Sequence, residues 1–361
     1  MRFSRVPFAI AALFWAVFSI KATGAGSDVG YEVEAQRQFG TPNPASVELQ
    51  ILSTTDTALL APLIESFLQS HSDVVIDYSE LSSAELMKAV LSQDTTSSDG
   101  FDLAISSAMD LQVKLANDGF TRKHSSGVRA LMPGWSNWRD HVFAFSQEPA
   151  TILLSRAAFA DLPQPKSRQN LIELMRRHPD RFRGRIGTYD AGTSGLGYLF
   201  ATQDARSSDS FWRLMELFGS LDLRLYCCSG AMIEDVASGK LVMAYNVLGS
   251  YAQARRDLVE KILILEPEDY TNMMLRSAVI LKTSSEPDLA GLFVDHLLEA
   301  AWGDDADDLT SGYPFRHYPV RSSGESAPYR PIQLGPGLMV YLDRLKRAKF
   351  LREWHSTVEQ N

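Results

Sequence analysis

The sequence predicts an α/β chain of two lobes, each built on a mainly parallel sheet flanked by helices. Apolar runs of strand length alternate with segments whose apolar residues recur at helical spacing. The alternation runs through one half of the chain and starts again in the other. The chain has 361 residues; without an export signal of about 25, roughly 335 remain, enough for two cores rather than one.

Met1-Arg2-Phe3-Ser4-Arg5 is a basic start, Val6 to Ile20 is uncharged and almost wholly apolar, and the small residues Ala22, Gly24, Ala25 and Gly26 follow. That order marks a secretory signal peptide over residues 1–25. The apolar stretch is 15 residues long, and a membrane-spanning helix needs about 20, so a cleaved signal fits better than a permanent anchor. Residues 26–46 show no apolar period and read as a mobile lead segment.

From Val47 the elements follow in order. Val47–Leu52 is a strand, and Leu59, Leu60, Leu63, Ile64, Phe67 and Leu68 share one face of the next helix. Val74–Tyr78 is a strand, Ser82-Ser83-Ala84-Glu85 a capping box that opens a helix through Leu91, and Phe101–Ile105 a buried strand. In the second half Ala150–Leu154, Arg185–Tyr189 and Leu241–Tyr245 read as strands, Leu171–Arg177, Phe211–Phe218 and Ala231–Ser238 as helices. Ile262–Leu265 and Ser277–Leu281 are strands, Leu289–Ala301 is helical, and Gly337–Trp354 is an amphipathic helix with Leu338, Val340, Tyr341, Leu345 and Leu351 as core.

Net charge is -9, and losing Arg2, Arg5 and Lys21 with the signal takes it to about -12. A phosphate backbone repels so acidic a surface, which argues against nucleic-acid binding. The two cysteines, Cys227 and Cys228, are adjacent. They are either two small, partly buried residues beside a pocket or a vicinal disulfide forming a plate against a ligand. No spacing signals a zinc site, a G-x-S-x-G elbow or a dinucleotide fingerprint, so neither a metal nor a cofactor is expected. Asp304 to Asp308 reads as a solvated acidic turn.

Four loops at strand-to-helix junctions are rich in hydroxyls: Ser53-Thr54-Thr55, Ser106-Ser107, Thr193-Ser194-Gly195, and Cys227-Cys228-Ser229 with Gly230. In a parallel sheet such junctions lie at the carboxyl ends of strands, where ligands bind, and helix N-termini there favour anions. Four in succession predict a ligand cleft between lobes.

At this point the chain resembles periplasmic solute-binding proteins of the ferric-iron and sugar-phosphate type. The runs "FDLAISSAMDLQVKLANDGF", "GTYDAGTSGLGYLF", "ASGKLVMAYNVLGSYA" and "AVILKTSSEPDLAGLFVDHLL" are similar to blocks of that family in the same order. The resemblance implies the type II binding-protein fold, with residues 47–149 and 278–361 in lobe 1 and 150–277 in lobe 2. Chain crossings would fall near Pro149–Leu154 and Ser277–Leu281, and the C-terminal helices would return to the first lobe. It implies a monomeric, non-enzymatic, periplasmic protein that takes a small anionic organic ligand to a membrane permease. Alternatives are a report to a membrane sensor, a ferric-iron cargo, or an enzyme on a similar scaffold. Iron-binding members pair adjacent tyrosines, and this chain has no Tyr-Tyr pair. Tyr245, Asn246, Ser250 and Tyr251 would instead line the wall opposite the hydroxyl loops.

Overall fold

The computed structural model describes residues 30–97, 100–303 and 328–359. The export signal and the turn at Asp304–Asp308 lie outside the described residues. The strands are β1 (Ala35–Phe39), β2 (Val47–Ser53), β3 (Val74–Glu80), β4 (Leu103–Ser106), β5 (Asn137–Trp138), β6 (Val142–Ala144) and β7 (Glu148–Ser155). They continue with β8 (Ile186–Tyr189), β9 (Arg224–Tyr226), β10 (Met243–Leu248), β11 (Ile262–Leu265), β12 (Thr271–Met274), β13 (Ser277–Ile280) and β14 (Tyr329–Pro331).

Two sheets form. The first runs β1-β3-β2-β4-β13-β6-β5, and the second β14-β12-β7-β10-β8-β9 with β11 also on β7. β2 is parallel to β3 and β4, and β8 is parallel to β9 and β10. Their carboxyl ends therefore share one edge of each sheet, as the strand–helix alternation predicts. Leu49, Ile51, Leu60, Leu63, Ile64 and Phe67 are buried together under Phe293, Val294 and Leu297 of the helix Pro287–Trp302. One half of the expected capping box is present, Ser82 accepting the Glu85 N–H at 3.2 Å, while the Glu85 carboxylate accepts the Glu32 N–H at 2.9 Å.

The lead segment is more ordered than its composition suggests. β1 lies antiparallel on β3, yet only Phe39 of its five residues is buried. Such an edge strand is held by backbone pairing and leaves no apolar period to read. The tail differs too. Residues Pro336–Leu342 form a 3-10 turn, and Asp343 caps a separate helix, Arg344–Val358, by accepting the Lys346 N–H at 3.1 Å. The break shifts the helical phase. Leu345, expected in the core, is 73% exposed, Val340 is also exposed, and Phe350, Trp354 and Val358 are buried instead.

That helix packs on the second sheet's side of the molecule, in one buried cluster with Phe211, Leu214 and Phe218. A Cβ on Gly219 would meet the Thr357 carbonyl oxygen, so the helices touch backbone to backbone. β14 also joins the second sheet. Leu334 donates its N–H to the Trp135 carbonyl of the first lobe at 3.1 Å, and β13 and the helix Pro287–Trp302 pack with the first sheet, whereas β14 and the helix Arg344–Val358 pack with the second. The aromatic contacts of Phe350 with Tyr198, Trp212 and Tyr341 draw the tail there.

Two direct passages join the sheets, from β6 to β7 through Phe145–Gln147 and from β12 to β13 through Leu275 and Arg276. The two passages lie side by side, with the Phe145 N–H donating to the Arg276 carbonyl at 3.0 Å.

Candidate ligand-binding cleft

The carboxyl edges of the two sheets face each other across these passages. Gly195, at the start of the helix after β8, donates its N–H to the Ser83 hydroxyl of the opposite lobe at 2.9 Å. The Tyr251 hydroxyl, after β10, donates to Asp56 Oδ1, after β2, at 3.1 Å. Facing loops from both lobes therefore close one cleft.

At its base lies a fully buried ion pair. Arg276 donates from Nε and Nη2 to the two oxygens of Glu148 at 3.0 and 3.1 Å, and from Nη1 to Thr55 Oγ1 at 2.5 Å. Ser146 and Ser250 donate to the same carboxylate at 2.7 and 2.5 Å. Removing two charges from water costs several kcal/mol per ion, so such a pair stands only with this complement of hydrogen bonds. Burial pushes the Tyr251 phenol well above its ordinary range, partly offset by the Arg276 charge, and it stays a neutral donor. Tyr189 is raised for the same reason and shares a 2.5 Å hydrogen bond with Ser229.

The predicted hydroxyls converge here but turn to one another. Ser53 Oγ accepts the Thr55 N–H at 3.0 Å, Thr54 Oγ1 donates to Ser106 Oγ at 3.2 Å, and the Ser107 N–H donates to Thr54 Oγ1 at 3.2 Å. Thr193 Oγ1 donates to Asp190 at 3.0 Å, and Ser194 Oγ accepts the Gly197 N–H at 3.1 Å. Ser53, Thr55, Ser106, Ser107, Ser229 and Ser250 are buried, while Thr193 is exposed.

Two predicted residues lie elsewhere. Tyr245 and Asn246 belong to a polar network inside lobe 2, where Tyr245 accepts from Arg168 Nε at 2.6 Å and donates to Asp204 at 2.9 Å. Asn246 donates to the same Asp204 oxygen at 2.8 Å and sits at φ 62°, a left-handed turn that swings the residues after it toward the cleft. The register of β10 on β7 shifts between Ala244 and Val247, and this irregularity lets two neighbouring side chains reach the same Asp204 oxygen. Cys227 and Cys228 are exposed rather than partly buried and are joined to each other, with Cα atoms 3.8 Å apart.

Glu148, Arg276, Asp56, Ser83 and Tyr189 were not among the expected site residues. For Arg276 and Glu148 the signal was a single charge set in or beside an apolar strand run, "NMMLRSAVI" and "EPATILL". Such a charge must find a partner when the strands bury it.

Among the described residues no helix is long and apolar enough to cross a membrane. No protein-family model and no curated protein matches the sequence. Solved structures do. The substrate-binding protein of an ABC transporter from Agrobacterium tumefaciens is 28% identical, superposes with a TM-score of 0.79, and the match covers 91% of this chain and 99% of that one. AfuA from Actinobacillus pleuropneumoniae, a periplasmic binding protein with fructose-6-phosphate bound, has a TM-score of 0.68 at 14% identity, covering 87% and 99%. Iron-bound HitA from Pseudomonas aeruginosa has a TM-score of 0.64 at 16% identity, covering 86% and 99%. Two sheets bridged by paired passages, with loops meeting across a cleft, give this chain the two-lobe fold of the substrate-binding proteins of ABC transporters.

Proposed function

We propose that the protein captures a small organic solute in the cleft, in the periplasm, and presents it as a monomer to the permease of an importer, making and breaking no bond. One observation carries this reading: the facing carboxyl edges are joined by two adjacent antiparallel passages, Phe145–Gln147 and Leu275–Arg276, a construction suited to a hinge. The sequence of the Agrobacterium protein, 28% identical over nearly its whole length, supports it further.

In this reading lobe 1 carries the first sheet, lobe 2 the second sheet and the tail helix, and the Ser83–Gly195 and Asp56–Tyr251 contacts belong to the closed state. Solute adds its own contacts between the lobes and shifts the population toward closure. Small-angle scattering of the purified chain checks this, since a solute that binds reduces the radius of gyration. A solute that binds tightly without any compaction would remove the hinge from the reading.

A further inference from the structure

Apart from the cleft, the molecule carries a second opening of a size that takes a small molecule. A cavity of about 580 Å³ lies between the last turn of the helix Gly195–Ser207 and the segment that runs from β14 into the 3-10 turn, with the buried Asn272 of β12 beside them. Small-molecule sites span roughly 300–1,000 Å³. None of the residues lining this cavity belongs to the loops that meet across the cleft. Its charge is one-sided. The lining holds two guanidiniums, Arg206 and Arg330, and no carboxylate among the described residues, in a chain whose net charge is -9.

Both guanidiniums are placed by the fold and lightly committed. Arg206 reaches from the helix to the Gly337 carbonyl at 3.5 Å, and Arg330 reaches from β14 to the Ser207 carbonyl at 3.4 Å. Each therefore extends from its own wall to the other through one long hydrogen bond, although a guanidinium carries several N–H donors. Arg330 also lies against the Tyr270 ring, 4.9 Å from its centroid, which holds the side chain before any ligand arrives. The Ser207 carbonyl belongs to the negative end of its helix, and Arg330 covers it. Behind Asn272, the Asp204 carboxylate is fully buried, accepts from Tyr245, Asn246 and Asn272, and has Arg168 3.6 Å away. Its charge is answered inside lobe 2 and leaves the two arginines uncompensated. Guanidiniums from two walls, each able to grip a pair of oxygens, suit an oxyanion with a negative group at either end. A cation there would meet two like charges.

We propose that this cavity is a second binding site, separate from the cleft, for a small organic polyanion whose carboxylate or phosphate groups sit between Arg206 and Arg330. The Gln203 amide and the Ser207 hydroxyl, both half-buried in the lining, supply neutral hydrogen bonds. The site stands independently of solute capture, since it uses neither the facing loops nor their closure.

The test is calorimetric titration of the full chain with citrate, succinate and fructose 1,6-bisphosphate, with choline as the cationic control. Both arginines are exposed, so Arg206→Gln and Arg330→Gln leave the buried core untouched. The expected result is binding of citrate or the bisphosphate that choline does not reproduce, that weakens as salt rises, and that falls tenfold or more in each variant. Which of the two binds tighter separates a carboxylate ligand from a phosphate one. In the natural chain, the same anion should shield Arg206 and Arg330 from phenylglyoxal, read by mass spectrometry of the labelled peptides. Unchanged affinity in both variants, shielding confined to other arginines, or no binding of any of the three anions at millimolar concentration overturns the proposal. Each of those outcomes leaves solute capture in the cleft intact.

Discussion

At the scale of single residues, Arg276 and Glu148 fix the character of the cleft base. Each is fully buried, and each satisfies the other. Truncating one leaves the partner charged and unpaired in a low-dielectric site, so Arg276→Ala or Glu148→Ala should cost about 3–5 kcal/mol of stability. Replacing both by apolar residues of similar volume should cost far less. Urea denaturation of the three variants checks this, and additive losses in the double variant would show that the pair acts as two independent groups. Asp110 offers a second prediction. Burial pushes its carboxyl up to about 7, with the Leu111 N–H and Arg347 opposing. A carboxyl raised above its unfolded value stabilises fully below about pH 4, and that stability fades as pH climbs through 7. Compared with Asp110→Asn, the natural chain should therefore lose melting temperature between pH 4 and pH 8; parallel curves would mean that Asp110 titrates normally.

Single residues were also where sequence reading fell short. The convergence of Ser53, Thr55, Ser229 and Ser250 on the facing edges was legible from four successive strand-to-helix junctions, although each alone reads equally as a helix cap. Arg276 and Glu148 were not, since a lone charge in a strand announces a partner without naming it. That Tyr245 and Asn246 both turn to Asp204 was not legible, because the register shift of β10 between Ala244 and Val247 leaves no mark in composition.

Among elements, the tail helix carries the most weight outside the cleft. Trp354 is 1% exposed and packs against the helix Ser210–Ser220. Trp354→Ala should cost about 3–5 kcal/mol through lost burial and the cavity left behind. Near-ultraviolet circular dichroism during unfolding would follow it, and a loss under 1 kcal/mol would mean that the tail is not part of the lobe 2 core. The amphipathic period of this helix was visible in the sequence, but Asp343 divides it from the 3-10 turn before it, and that break put Leu345 in solvent. Central strands such as β2 and β3 were read within a residue or two because Leu49, Ile51 and Leu52 and the run Val74–Ile76 with Tyr78 are buried and apolar at strand spacing. The edge strands β1, β5 and β14 carry no such run, and nothing local marks them.

For the whole molecule, the two-lobe plan followed from length, alternation and the family resemblance, whereas the packing of the tail helix depends on contacts far apart in sequence. The position of β13 has a consequence for how the chain assembles. It is the strand between β4 and β6, pairing Ser277 with Ser106 and with Ala144. Until residue 280 has emerged, the first sheet is two fragments with an empty slot between them, and closing that slot joins residues more than 130 positions apart. Loop-closure entropy makes such a step late and slow. A chain that cannot finish its first sheet until most of its length is made should keep the edges of β4 and β6 open until the strand between them arrives.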